Sequence, residues 1–460
     1  MQLDLKTIGI ATRGQILLGP TGLVPDGISI DSRTVSDGQV FVAIVGERHD
    51  GHEHLAQAFE RGAAGCVVSR EEAKGVVPEG RACLLVPDTT RFLGDLAAHL
   101  RRQSAAVFLG ITGSVGKTTT KDLTALLIGS ERRTHASKGN LNNHFGLPLS
   151  LFGLSDDAQA CVLEMGISTP GELDRLVEIA EPDYGLVTGI HHAHVGNFAG
   201  FDELVVEKLK LPRGARRAVL CVDDPEQRSR IDEFEQPFLF GTTEHLDSGP
   251  DRLRLLERRP RGFEGQDVVL ERDGERFEIF LPLVGEHQAR NLLAAASLAE
   301  LVGISRQGMA EAALKARPAA HRGTQHAVRG AVLLDDSYNA NPKAMQAALE
   351  LMGQLEPEGR RILIAGDMLE LGELSESAHG ELGRQAAAAG LDVLVGVGPE
   401  CAHAVEAARE AGLSAEHRDD ATAAGEWLVE NVQAGDLVVV KGSRGIGLDR
   451  SVELFVGEAS

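Results

Sequence analysis

The sequence predicts an α/β protein of three domains, the central one built on a mostly parallel sheet that presents a phosphate-binding loop. Three observations carry this expectation. At 460 residues the chain exceeds what one core can organise, and length alone sets a prior of about three domains. Apolar, β-branched runs alternate with helical patterns along most of the chain, the mark of βα units and parallel strands. Residues 105–129, AVFLGITGSVGKTTTKDLTALLIGS, then place a glycine loop between a strand pattern and a helix pattern.

Taken in order, residues 1–104 form a unit without a phosphate loop. ISIDSRTVSDGQVFVAIVG alternates like short strands and turns, and HEHLAQAFERGAAGCVVS reads helix, glycine stop, strand. Residues 105–319 continue with the glycine loop, with ACVLEMGIS and the helical GELDRLVEIA, and with the strands YGLVTGI and RRAVLCVDD. VVLERDGERFEIF carries a hairpin signal at Asp273-Gly274. HQARNLLAAASLAELVG is a strong helix pattern, and a boundary falls in ARPAAHRG. Residues 320–460 hold four strand candidates, AVLLDDSY, RILIAGDM, LDVLVGVG and DLVVVKGS, between Ala-rich helices: a second α/β domain.

Bulk properties exclude several classes. A formal net charge of −22 argues against nucleic-acid or anionic-membrane partners. No window reaches the apolar length of a membrane span, and the N-terminus lacks a secretion-signal pattern. Five widely spaced cysteines without a C-x-x-C fit a reducing, cytoplasmic compartment.

The glycine loop is the strongest chemical signal. Gly113 and Gly116 let backbone N–H groups turn inward around an anion, with Ser114 between them. Lys117 is placed for the β- and γ-phosphates of a nucleoside triphosphate, and the Thr118 hydroxyl, followed by Thr119, for Mg²⁺. The wider G-x-x-x-x-G-K-T spacing would need glycine where Ile111 stands. Glu164, at a strand end, reads either as a Mg²⁺ ligand or as a solvated strand terminus. His191, His192 and His194 crowd together without a zinc-ligand spacing, and surface or capping roles suit them as well. Lys208, in FDELVVEKLKL, reads from spacing alone as an exposed i,i+4 partner. In DDSYNANP, Asn341 before Pro342 is explained by helix capping. Capping leaves Asp335, Asp336, Tyr338 and Asn339 unexplained, and a ligand-binding role is expected there. KGSRG, residues 441–445, suits an anion or a bland turn equally.

These segments, in this order, resemble the Mur ligase family of peptidoglycan synthesis over nearly the whole chain. The resemblance runs through DSRTVSDGQVFVAIVGERHDGH, TGSVGKTTTK, SKGNLNNHFGLPLSL, EMGIS, AHVGNF, GEHQARN, DDSYNANP, AGDMLELGE and VVVKGSRG. The family shares the phosphate loop and lacks its first glycine. It implies an N-terminal domain for a UDP substrate, a central ATPase domain and a C-terminal Rossmann-like domain. By motif, Lys117 and Thr118 match the phosphate and first-Mg²⁺ residues. Glu164 and His194 match ligands of a second Mg²⁺, and Lys208, fourteen residues after His194, matches a lysine that the family carries as a carbamate. His287 and Asn291 match the nucleotide-side helix. Arg322 and Asp336 match groups that close on ATP. Asn142 and Asn143 match a loop facing the UDP-sugar, and Ser32 and Arg33 the UDP end. Tyr338, Asn339 and Asn341 are expected beside the amine substrate. The chain departs from the family pattern at Gly189 and His191, where T-N-I-G is usual, and at Gln288 within H-N-x-x-N.

DDSYNANP followed by AGDMLELGE points to the member that joins D-alanyl-D-alanine to UDP-N-acetylmuramoyl-tripeptide with ATP, through an acyl phosphate. Diaminopimelate and lysine both remain open as the third residue of that tripeptide, and a monomer is expected. Two rivals stand: another ligase of the superfamily, of the UDP-muramyl peptide or folylpolyglutamate type, and a non-catalytic nucleotide switch.

Overall fold

The computed structural model describes residues 3–46, 49–191 and 197–458. Three sheets follow one another along the chain. The first has five strands, in the order Gln15–Leu18, Ala82–Leu85, Gly65–Val68, Gln39–Val42, Gly27–Ser29. Only the outer strand Gln15–Leu18 pairs antiparallel.

The second sheet has nine strands. From one edge they run Thr134–Ala136, Ala160–Glu164, Val107–Thr112, Tyr184–Val187, Arg217–Cys221, Phe238–Thr242, Arg252–Pro260, Gln266–Arg272, Glu275–Leu281. All pairs are parallel until the last two, which are antiparallel. The final hairpin turns at Asp273-Gly274, with φ of 52° and 80°. Two positive φ values in a two-residue loop are the geometry that matches strand twist, which is why Asp-Gly marked it. Helices Lys117–Ile128 and Glu286–Leu301 pack together over this sheet, and their Leu and Ala faces fill the largest apolar core.

The third sheet has six strands, in the order Thr324–Val328, Ala331–Asp335, Leu437–Lys441, Arg361–Gly366, Val393–Val397, Ser414–Arg418. Its first pair is antiparallel and the rest are parallel.

In the two larger sheets, strand order reverses at a point that gathers motifs. Val107–Thr112 lies between Ala160–Glu164 and Tyr184–Val187. The phosphate loop, Glu164 and Thr188 therefore leave neighbouring strand ends. Leu437–Lys441 lies between Ala331–Asp335 and Arg361–Gly366, so DDSYNANP, AGDMLELGE and KGSRG also leave neighbouring ends. Crevices at such switch points are where open α/β sheets bind ligands.

Among the described residues, no helix is long and apolar enough to cross a membrane. All five cysteines are buried and free.

Candidate active site

The strand ends of the second and third sheets face a shared cavity of about 1650 Å³. The glycine loop forms its floor. Gly113 has φ 149° and Gly116 φ 78°, and Gly116 caps the helix Lys117–Ile128 in the left-handed conformation. Side chains are excluded there by space as well as by backbone. A Cβ on Gly113 would fall 2.0 Å from Thr188 Oγ1, and one on Gly116 2.4 Å from Asn291 Oδ1. Ser114 ties the loop to the neighbouring strand end. Its N–H donates to Gly189 O at 2.8 Å, and its hydroxyl bridges the His191 backbone, accepting from N and donating to O at 2.9 Å. These contacts use backbone at 189 and 191, so the departures from the family pattern there leave the loop anchored.

Two lysines converge on one carbonyl. Lys117 Nζ donates to Gly113 O at 2.8 Å, and Lys208 Nζ reaches the same oxygen at 3.2 Å. Burial lowers the Lys117 pKa, Glu164 offsets this, and Arg322 lowers it further. The Lys208 pKa lies well below the ordinary lysine value. Burial is the main cause and the Lys117 charge adds to it, while Glu207 opposes both.

Lys208 corrects the expectation from spacing. It is 2% exposed and faces the sheet from helix Phe201–Gly214. The surface partner is Lys210, which pairs with Asp174 and Glu207 at 2.6 Å each. The Glu207 carboxylate also accepts the Leu173 N–H at 3.0 Å, so hydrogen bonds engage it away from the Lys208 amine.

Glu164 is buried, not a solvated strand end. Its Oε1 accepts from Asn142 Nδ2 at 2.8 Å, while Oε2 is buried without a hydrogen-bond partner. A buried carboxylate oxygen left open beside a phosphate loop suits a hard cation. Thr118 and Thr119 line the same floor. His194 lies outside the described residues.

Helix Glu286–Leu301 contributes His287, Gln288 and Asn291 to the wall. Asn291 Nδ2 donates to Gln288 Oε1 at 3.2 Å and its Oδ1 accepts from Thr120 at 3.4 Å, so Gln288 orients the asparagine beneath the loop. Burial lowers the His287 pKa; Asp336 raises it and Lys441 lowers it, so groups of the third sheet reach this helix electrostatically.

From the third sheet, Arg322, Asp336, Tyr338, Asn339 and Asn341 all line the cavity. The Arg322 guanidinium stacks 4.0 Å from the Tyr338 ring centroid. Asp336 pairs with buried Lys441 at 2.6 Å, and Lys441 also donates to Asn339 O at 3.0 Å. Asn341 Oδ1 caps the helix Pro342–Gln354 by accepting the Ala344 N–H at 2.9 Å, as capping chemistry predicts. Asn143 likewise accepts from Gly146 N at 2.8 Å, and with Asn142 faces the cavity.

Ser32 and Arg33 are not gathered here. Ser32 donates to Gln57 at 2.7 Å, and Arg33 forms an exposed pair with Asp31, both on the first sheet's side. Sequence reasoning passed over Thr188, whose hydroxyl donates to Val115 O in the loop. It also passed over Arg317 and Phe263 at the cavity wall, which carry no motif. Lys441 was visible only as part of a basic turn.

Among the described residues, one cluster outside this cavity has metal-ligand chemistry. Asp367, His379 and Cys401 are all buried, with ligand atoms within 4.8 Å of one another. Hydrogen bonds already use them. His379 Nε2 accepts from Met368 N at 2.9 Å and Nδ1 donates to Ser375 O at 2.8 Å. Asp367 Oδ1 accepts from Cys401 N at 2.8 Å, and the thiol donates to Ala365 O at 3.2 Å. The cluster braces the start of the AGDMLELGE segment.

Comparison with known proteins agrees with this architecture. Residues 25–101 match the Mur ligase family catalytic domain, 111–299 the Mur ligase middle domain and 321–444 the Mur ligase glutamate ligase domain. The chain is 32% identical to the UDP-N-acetylmuramoyl-tripeptide–D-alanyl-D-alanine ligase of Bacillus subtilis, over 93% of this chain and 92% of the relative. A crystal structure of MurF from Acinetobacter baumannii superposes with TM-score 0.88 at 28% identity, covering 99% of each chain. MurF ligase from Thermotoga maritima in complex with ADP gives TM-score 0.79 at 27% identity, over 94% of this chain and 97% of that one. With three matched domains and this identity across nearly the full length, the chain belongs to the Mur ligase family.

Proposed function

We propose that the chain joins D-alanyl-D-alanine to UDP-N-acetylmuramoyl-tripeptide, consuming ATP and releasing ADP and phosphate. The observation that carries this reading is one cavity lined by Lys117, by Glu164 with its open oxygen and by Arg322, together with residues of DDSYNANP and AGDMLELGE, with Lys208 buried behind the glycine loop on the carbonyl that Lys117 also meets. The relatives named for this reaction supply the acceptor.

Amide formation from a carboxylate is uphill, so the carboxylate must first be activated. The tripeptide carboxylate attacks the γ-phosphorus of ATP, giving an acyl phosphate and ADP. The amine of D-alanyl-D-alanine then attacks the acyl carbon, and phosphate leaves. The loop N–H groups and Lys117 take the charge of the transferring phosphoryl group, and Arg322 meets it from the opposite wall. Glu164, Thr118, His194 and carbamylated Lys208 would hold two Mg²⁺ ions, which when bound neutralise phosphate charge. The carbamate forms when a neutral Lys208 amine takes up CO₂ and releases a proton. Burial beside Lys117 favours the neutral amine it requires. Tyr338 and Asn339 border the dipeptide, while Asn142 and Asn143 face the sugar nucleotide, whose UDP end extends toward Ser32 and Arg33. His287 and Asn291 border the nucleotide, and Asp336, held by Lys441, closes on it from the third sheet.

In this reading residues 1–104 bind the UDP substrate, 105–319 bind ATP and 320–460 close over both. The protein acts as a monomer in this reading. ATP supply and five buried free thiols suit the cytoplasm.

The test is phosphate release from ATP with each UDP-muramyl-tripeptide, containing diaminopimelate or lysine, and with D-alanyl-D-alanine, L-alanine or D-glutamate as acceptor. Release that requires both a tripeptide and the dipeptide is expected. Preference for a single amino acid would identify a different ligase, and release indifferent to any amine would identify a nucleotide switch.

A further inference from the structure

The chain passes from the second sheet to the third through the segment between helix Arg306–Ala313 and strand Thr324–Val328. Within it, His321 adopts φ 60°. A non-glycine residue in the left-handed region is strained and persists only where its surroundings enforce it. Three contacts enforce it here. His321 Nδ1 donates to Asp335 Oδ2 at 2.7 Å, the His321 carbonyl accepts the Tyr338 N–H at 3.0 Å, and Gly323 N donates to the Asp335 carbonyl at 2.8 Å. The Asp335 carboxylate is itself fixed, since it is buried and its other oxygen accepts from Ser337 N at 3.1 Å and Ser337 Oγ at 2.6 Å.

Arg322 sits between the two anchored residues, His321 and Gly323. Its guanidinium lies over Tyr338, whose backbone is tied to His321. A free arginine must surrender considerable rotamer entropy to meet a phosphoryl group. Here the Asp335 carboxylate holds His321, the Asp335 backbone carbonyl holds Gly323, and the His321 carbonyl holds the backbone of Tyr338, whose ring lies under the guanidinium. The functional motif DDSYNANP thus has two acids with separate tasks: Asp336 pairs with Lys441 in the cavity, and Asp335 turns away to His321.

We infer that His321, clamped to Asp335, is a positioning residue that sets the direction from which Arg322 meets the transferring phosphoryl group. The inference rests on the phosphoryl role given to Arg322 above. A purely conformational role for position 321 makes a different forecast, because glycine would then serve as well as histidine.

The experiment compares His321→Gly and His321→Asn in the full-length protein, each with Arg322 intact and with Arg322→Ala. His321→Gly keeps the left-handed backbone without strain but deletes the ring. It should lower kcat by about 10- to 100-fold, the scale of a misplaced catalytic group, with the KM for the UDP-tripeptide unchanged. His321→Asn tolerates positive φ and can donate to Asp335, so it should recover most of the loss. In the Arg322→Ala background His321→Gly should have no further effect, because the role runs through Arg322. Wild-type kcat in His321→Gly, or an equal loss in both backgrounds, would overturn the inference. The same cycle is read without any acceptor through affinity for the ATP analogue AMP-PNP, where His321→Gly should weaken binding only when Arg322 is present. An error in the acceptor assignment would remove D-alanyl-D-alanine-dependent turnover from the wild type and leave the AMP-PNP comparison to decide the clamp.

Discussion

Lys208 places its amine 2% exposed on a helix whose sequence reads as a solvated charge ladder. Its pKa in the folded protein lies below its unfolded value. Between those two values the unfolded chain binds the additional proton, so stability rises with pH until the penalty vanishes above about 10.4. In bicarbonate-free buffer, Lys208→Met should therefore raise stability near pH 7 by about 1–3 kcal/mol. It should also flatten the rise in stability from neutral to alkaline pH, measured by denaturant titration. The same substitution should abolish ligation. In Lys208→Ala, formate or acetate should partly restore turnover by supplying a carboxylate where the carbamate stood. Lys208→Arg should not, since guanidinium stays cationic. Full activity of Lys208→Ala without added carboxylate would show that the amine has no part in the chemistry.

At the scale of single elements, the glycine loop and the third-sheet strand ends carry the site. Gly116 combines φ 78° with a neighbour 2.4 Å from any Cβ, the side-chain oxygen of Asn291. Gly116→Ala should destabilise the protein by about 1–3 kcal/mol and raise the KM for ATP at least tenfold, because Asn291 and the loop must both shift. An unchanged KM would mean that the loop does not hold the nucleotide. The Asp367–His379–Cys401 cluster makes the opposite kind of forecast. Its ligand atoms are engaged in hydrogen bonds, so EDTA should leave the thermal midpoint of the ligand-free protein unchanged. His379→Ala should cost about 1–3 kcal/mol by orphaning the Met368 N–H. A midpoint lowered by EDTA would show that a metal occupies the cluster.

Across the whole molecule, the cavity joins the second and third sheets, and the connection between them runs past it. Arg317 lies on this segment and lines the cavity, while Leu314 nearby is 54% exposed. A nucleotide bridging Lys117 and Arg322 should order the connection. Cleavage by trypsin after Lys315, where Ala316 precedes Arg317, should slow several-fold in the presence of AMP-PNP, followed by mass spectrometry of the fragments. An unaltered rate would place the nucleotide contact within the second sheet alone.

Local chemistry made much of this legible. Asp273-Gly274 dictates a two-residue hairpin wherever it falls between alternating strands, and Asn341-Pro342 dictates a helix start. The glycine loop announces itself because no other use accounts for Gly113, Gly116, Lys117 and Thr118 together. The strands Arg252–Pro260 and Ser414–Arg418 were not legible at their full length, because the alternation of RLRL stops at Leu255 and SAEHR buries only Ala415. They are strands because neighbours complete their hydrogen bonds.

The sequence by itself determined the α/β class, the phosphate loop, the order of the motifs and the family they resemble, since each depends on residues close together in the chain. Only the tertiary structure decided which motifs share a cavity, that Glu164 is buried with an oxygen left open, and that Asp335 serves His321 while Asp336 serves Lys441. It also decided that Lys208 is buried and Lys210 is not, although one turn of helix holds both. Burial, and the electrostatics that follow from it, depend on what packs against a residue from distant parts of the chain, and no local pattern encodes that.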